Sequence, residues 1–239
     1  MGKYIIAGLK TEFEANYKYL KNRAKEYEAD FDSSETDIKI EFSDEFFAEK
    51  MKEITTMTIE GHEYFWTAQR FNSMLMDVGG IMLHSSCVEK DGYAYLFSAD
   101  SGTGKSTHTH IWLKVFPEAR IINDDKPALI KEDGIWYACG TPFSGKTPEN
   151  INVKVPVRAI TFIKRGLENK IERLSTNEAI KLVFGQIIRT KYEDRAFKTL
   201  EVIDSILKNI PVFSLECNMD DDAAITAYNG IERLINDEN

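Results

Sequence analysis

Basic charge is in short supply in this sequence: 30 Lys and Arg residues stand against 39 Asp and Glu, a formal net charge of -9. Nucleic acids and anionic membranes are met by clustered basic faces, so neither is an expected partner, and only local basic pockets are allowed for. Cysteine is scarce too. Cys87, Cys139 and Cys217 are far apart and odd in number, which excludes a disulfide framework and a CxxC metal or redox motif. Buried free thiols in a reducing cytosol are the expectation. Long apolar runs are missing: no stretch approaches the ~20 residues needed to span a bilayer. Met1-Gly2-Lys3 leads into a short mixed segment, not the apolar core of a secretory signal. A soluble, cytoplasmic protein is therefore expected.

The 239 residues, 43% of them hydrophobic, suffice for one sizeable core. The reading is a catalytic core over residues 79–239 preceded by an α+β extension, residues 1–78, packed on it. In the extension, Tyr4 to Gly8 reads as a short strand, and Ile38 to Phe42 alternates as a half-buried strand does. Ser43 offers an N-cap to a helix from Asp44 to Ile54. Tyr64 to Asp77 is apolar at helical spacing and stops at Gly79-Gly80.

Beyond the glycines the periodicity changes. Ile81 to Val88 and Tyr93 to Ser98 are apolar runs joined through Asp91-Gly92, a hairpin signal. Thr107 to Phe116 reads as a helix ended by Pro117. Ile121-Ile122 form a short strand, and Ala128 to Lys131 pairs with Ile135 to Cys139 across Asp133-Gly134. Further strands are expected over Ile151 to Pro156, Ala159 to Lys164 and Val212 to Cys217. Helices are expected over Asn177 to Arg189, Arg195 to Asn209 and about Asp221 to Leu234. Asp220-Asp221-Asp222 could ligate a metal, but carboxylates where a helix starts answer its dipole, and capping is the preferred reading.

Two loops compete for a phosphate. The P-loop pattern wants Gly, four residues, then Gly-Lys and Ser or Thr, because backbone N–H groups cradle phosphates while Lys and a hydroxyl meet phosphate and Mg²⁺. Gly140 to Thr147 matches it fully, whereas Ala99 to Ser106 has alanine in the first position. Context reverses the ranking. The mechanism needs a strand running in and a helix running out, and only the loop at Ala99 to Ser106 has both. Lys105 is then expected at the β- and γ-phosphates and Ser106 on Mg²⁺. The N–H groups of Ser101, Gly102, Thr103, Gly104, Lys105, Ser106 and Thr107 are expected around the phosphate oxygens. Ser144, Gly145 and Lys146 of the other loop are either a clamp on the phosphoryl group or acceptor, or a solvated turn.

Asp124-Asp125 ends a short apolar strand, where a P-loop enzyme carries its second metal-binding element. One carboxylate is expected on the metal and the other as base towards an attacking hydroxyl. The chain has four histidines. Of these, His84 is expected on the strand before the P-loop, where its ring is either a ligand or proton carrier over the phosphate site or, as spacing alone favours, a satisfied core histidine. His108 and His110, at i and i+2 of a helix, lie on different faces and cannot pair on a metal.

Leu83-His84-Ser85-Ser86, the Asp91-Gly92 turn, the loop from Ser101 to Thr107 and Asn123-Asp124-Asp125 together resemble, in order and spacing, the nucleotide core of HPr kinase/phosphorylase and phosphoenolpyruvate carboxykinase. The resemblance covers roughly residues 81 to 146. It implies an α/β fold with a P-loop core, a strand-rich mixed sheet and flanking helices. It also implies His84, Lys105, Asp124 and Asp125 as catalytic residues; it leaves open which aspartate does which job, and the preferred reading puts Asp125 on the metal and Asp124 as base. ATP or another nucleoside triphosphate and Mg²⁺, with Mn²⁺ as a substitute, are the implied cofactors. The expected activity is transfer of the γ-phosphoryl group to a hydroxyl of a small molecule or of a peptide or protein serine. A reduced carboxykinase, needing converging arginines among Arg70, Arg158, Arg165 and Arg189, and a non-catalytic nucleotide sensor are the rivals.

Overall fold

The computed structural model describes residues 1–187 and 196–237. Near the N-terminus, β1 (Gly2–Ile6) turns back into β2 (Leu9–Phe13) through Ala7 and Gly8, both left-handed at φ 55° and 79°. Two left-handed residues make the tight turn that matches strand twist, and an alanine in that role conceals it in the sequence. A second strand thus follows directly on the first, where no strand was expected. After α1 (Lys18–Ala24), β3 (Ile38–Ile40) lies parallel to β2. Ser43 Oγ accepts from Phe46 N (3.2 Å) at the start of α2 (Asp44–Glu53). Thr58 Oγ1 does the same from Gly61 N (3.2 Å) for α3 (Ile59–Leu75), which therefore starts before Tyr64. Phe13, Leu20, Ile40 and Phe71 of this part share a core with Met82, Ala128 and Phe143 from further along the chain.

The second, larger sheet is mixed and curled. Its strands are β4 (Ile81–Met82), β5 (Ser86–Lys90), β6 (Tyr93–Ser98), β7 (Arg120–Asn123), β8 (Ala128–Glu132), β9 (Ile135–Cys139), β10 (Lys154–Arg165), β11 (Lys170–Arg173) and β12 (Val212–Cys217). The spatial order is β4-β8-β9-β10-β6-β5-β7, with β12 also on β10 and β11 on β12. The expected single strand from Ile81 to Val88 is broken. Leu83 N turns to Pro127 O (3.3 Å), His84 N to Gln186 O (2.9 Å) and Ser85 N to Asp125 O (3.0 Å), so three amides leave the ladder. His84 accordingly sits in a break between strands and not on one.

The expected strands at Ile151 to Pro156 and Ala159 to Lys164 are one strand, β10. Its first residues pair antiparallel with β9. From Val157 it runs parallel to β6, with a register shift between Val157 and Ala159, and from Ile160 onward it is also parallel to β12 on its other edge.

Alternation along β6 shows why the sheet is covered on both faces. Ala94 and Leu96 join the core beneath α5 (Thr176–Gln186) and α6 (Ala196–Asn209). Tyr95 and Phe97 point to the opposite face, under α4 (Lys105–Val115) and α7 (Asp222–Asn236), where Trp112, Ala224 and Ala227 close the packing. The expected helices from Asn177 and from Arg195 extend at Arg189 and Arg195 outside the described residues. Asp221 stands at the N-cap of α7 without a side-chain cap bond; it pairs instead with Lys114 (2.7 Å). All three cysteines are buried and unpaired. Among the described residues no helix is long and apolar enough to cross a membrane.

Candidate active site

The loop after β6 owes its path to two glycines. Gly102 and Gly104 have φ of 80° and 125°, and no atom would touch a Cβ on either, so backbone conformation and not crowding demands them. Gly104 also brings no side chain to cap α4, which leaves the N–H groups of Lys105, Ser106 and Thr107 without intrahelical acceptors. Ala99, in the position of the missing first glycine, offers its carbonyl to Lys105 Nζ (3.0 Å). Burial pushes the Lys105 ammonium below its ordinary pKa, opposed by the charges of Asp125, Asp124 and Asp100. Ser106 is half-buried beside it, and Ser101 and Thr107 are exposed. The fully matching loop at 140–147 has no helix after it. Its Gly140 is required by packing, since a Cβ there would lie 1.8 Å from Ile151 O.

Asn123 shapes the acidic pair. Its Oδ1 accepts from Asp125 N (2.9 Å) and Lys126 N (2.7 Å), while Nδ2 donates to Thr141 O (2.9 Å). This Asx turn sends the two carboxylates to different partners. Asp124, 8% exposed, accepts from Ser86 Oγ on Oδ1 (2.7 Å) and from Thr147 Oγ1 on Oδ2 (3.1 Å). Asp125 has two nitrogen partners: His84 Nε2 lies 3.3 Å from Oδ1, and the Lys126 ammonium contacts Oδ2. Burial raises the Asp125 pKa, but the His84 hydrogen bond and the Lys126 charge outweigh it, and the carboxyl ends below its ordinary value.

His84 is oriented from behind. Its Nδ1 meets Gln186 Oε1 at 2.8 Å, and Gln186 Nε2 donates to Asp100 Oδ1 of the loop after β6 (3.4 Å). The structure thus brings His84, Lys105, Asp124 and Asp125 into one locality at the end of β6. Gln186 and Lys126 join them without having been expected. Lys126 adjoins the acidic pair in sequence, which is a usable signal; Gln186 lies 102 residues from its partner.

The loop at 140–147 is split in its orientation. Gly145 (φ 75°) presses on Asp125, where a Cβ would come within 2.8 Å of the Asp125 Cβ. Ser144 is turned the other way: its buried hydroxyl donates to Thr147 O (2.9 Å) and accepts from Arg23 (2.7 Å). Lys146 is exposed. His108 and His110 part company as expected. His108 is a core residue whose Nε2 accepts from Trp112 Nε1 (3.1 Å), and burial lowers its pKa to about 4. His110 meets Glu149 Oε1 (2.8 Å) and Ser106 O (2.6 Å).

On the other side of the loop at 99–106 a cleft of about 510 Å³ opens between the start of α4 and the C-terminal ends of β10 and β12. Thr107, Ile111, Ile163, Arg165, Cys217 and Met219 line it. Arg165 donates to Thr103 O (3.0 Å) and Gly102 O (2.5 Å), and Met219 is 74% exposed at the rim. Ligands of open α/β sheets bind beyond the carboxyl ends of parallel strands. The sequence signal for this cleft is faint: an Arg-Gly and an Asn-Met placed just past two strands.

No protein-family model matches the chain, and no curated protein matches it in sequence. Among solved structures it is similar to the HPr(Ser) kinase/phosphatase from Coxiella burnetii, with a TM-score of 0.39 and 11% identity over 65% of this chain and 98% of that one. The similarity is weak and lies at the level of the fold.

Proposed function

We propose that this chain is a P-loop phosphotransferase that moves the γ-phosphoryl group of ATP, or another nucleoside triphosphate, to a hydroxyl of a small molecule or of a peptide or protein serine. One observation carries the reading: a buried lysine at the head of a helix, two carboxylates and a histidine meet at the end of one parallel strand. Phosphoryl transfer is catalysed mainly by positioning and charge neutralisation, and this set supplies both.

In this reading the phosphates lie in the curve of residues 101–107, on the open N–H groups at the start of α4. Lys105 leaves the Ala99 carbonyl for the β- and γ-phosphates. The nucleoside extends into the cleft beside Arg165 and Met219. The donor set suits Mg²⁺: Asp125 is held ionised, and Asp124 and the Ser106 hydroxyl add further oxygens. Among the described residues no three His, Cys, Asp or Glu side chains converge as a metal cage. Mg²⁺ arriving with the nucleotide needs only one or two carboxylates besides the phosphates. When bound, the ion neutralises phosphate charge.

The Asp125 carboxylate, with its depressed pKa, suits a cation ligand. Asp124 is left to take the acceptor proton, aimed by Ser86 and Thr147. His84 stands beside Asp125 to meet the transferred group. The carboxykinase rival is less well supported, because Arg158 is bound by Glu232 through two bonds (2.9 and 2.7 Å) and Arg70 lies over the Phe42 ring. Arg189 falls outside the described residues.

The test incubates the protein with labelled ATP, Mg²⁺ and pools of amino acids, polyols and peptides, and identifies the labelled product by mass. Lys105→Ala is expected to abolish transfer while leaving the circular dichroism spectrum unchanged. Undiminished transfer by that variant would remove the assignment. Nucleotide binding by the wild type without transfer to any acceptor would favour the sensor.

A further inference from the structure

Arg23 is 7% exposed and, among the described residues, has no carboxylate within ion-pair distance. A buried guanidinium without a counter-charge is costly unless its donors are satisfied. Here they are satisfied almost wholly by one loop. Nη1 donates to Ser144 Oγ (2.7 Å) and Thr147 O (3.1 Å), and Nη2 to Lys146 O (3.2 Å) and Tyr19 OH (3.0 Å). The guanidinium also lies over the rings of Tyr19 and Tyr64, at 4.5 and 5.3 Å. Those two tyrosines hold the same loop, Tyr64 OH accepting from Gly145 N (3.0 Å) and Tyr19 OH donating to Gly145 O (3.1 Å).

The gripped loop touches both aspartates. Thr147, whose carbonyl Arg23 holds, donates its hydroxyl to Asp124, and Gly145 packs on Asp125. We infer that Arg23 is a positioning residue: it clamps residues 144–147 so that Thr147 fixes the Asp124 carboxylate at the transfer site. The N-terminal part of the chain thereby supplies an element of the active site. This inference rests on the phosphotransfer reading for its kinetic half; the clamp itself does not.

The test compares Arg23→Met, Arg23→Lys, Thr147→Val and the Arg23→Met/Thr147→Val double variant with the wild type. Arg23→Met is expected to lower kcat by about tenfold to a hundredfold, the usual cost of losing an orienting partner. Its affinity for a fluorescent nucleotide is expected to stay within about twofold, because the P-loop is untouched. Arg23→Lys keeps the charge but not the planar fork and should fall between. In the Thr147→Val background the same substitution should lower kcat by less than about threefold more, since coupled residues do not add.

Trypsin reads the clamp without any activity: cleavage after exposed Lys146 should accelerate in Arg23→Met. Parallel loss of kcat, nucleotide affinity and Tm, or full additivity with Thr147→Val, would overturn the positioning role. Unchanged cleavage would overturn the clamp. If the wild type transfers nothing yet Arg23→Met opens the loop to trypsin, the phosphotransfer reading fails and the clamp stands.

Discussion

His108 gives the sharpest quantitative forecast. It is 3% exposed, packed on the Phe97 ring at 4.6 Å, and accepts from Trp112. Desolvation lowers its pKa from 6.5 to about 4. Between those values the unfolded chain takes up a proton that the folded chain refuses, so stability falls as pH falls. The contribution is intact above pH ~6.5 and exhausted below pH ~4. With these two pKa values, linkage removes about 2 kcal/mol between pH 7 and pH 5.

The comparison is urea unfolding at both pH values for the wild type and His108→Gln, whose side-chain carbonyl can still accept from Trp112. The variant is expected to be less stable at pH 7, because its packing is poorer. It should nonetheless lose about 2 kcal/mol less than the wild type on acidification. An equal loss in both proteins would refute the claim that this imidazole is held neutral in the core.

Asp124→Asn should reduce turnover far more than nucleotide affinity, whereas Asp125→Asn should weaken Mg²⁺-dependent nucleotide binding as well; titration with a fluorescent nucleotide at several Mg²⁺ concentrations separates them. Gly140→Ala forces a Cβ against Ile151 O and should destabilise the fold by about 3 kcal/mol, read as a lowered urea midpoint at unchanged m-value. Met219→Trp, which narrows the mouth of the cleft from its exposed rim, should raise KM for the nucleotide with little change in Tm. Lys146→Ala leaves kinetics untouched if that side chain is only solvated, and a raised KM for the acceptor would give it a role as a clamp.

Local chemistry was readable in the sequence where the structure is local. The Asp91-Gly92 and Asp133-Gly134 turns carry left-handed φ values at all four residues, and β6, β9 and β12 lie where apolar runs place them. The strand-to-helix context that preferred Ala99 over Gly140 depends on neighbours only, and the helix follows the loop at Ala99. Legibility failed where long-range partners decide. His84 leaves its strand because amides there bond to Pro127, Asp125 and Gln186. Pro156 read as the end of a strand, yet β10 continues through it, because the antiparallel pairing with β9 finishes at that residue. The grips of Arg23 on Ser144 and of Gln186 on His84 cross 121 and 102 residues, and no local pattern announces such pairs.

The place of β10 beside β6 also sets an order of events during synthesis. All residues of the loop at 99–106 have been made by Ser106, but Ala94 of β6 pairs with Val157, and Arg165 supplies the bonds to Gly102 and Thr103. Parallel pairing across so long a separation forms late, because loop closure precedes any gain from contact. A nascent chain that ends before β10 therefore exposes β6, an apolar strand missing its parallel neighbour, together with a glycine loop missing its brace. In temporal terms the site is written early and assembled late, and the interval is when this chain has most need of protection from aggregation.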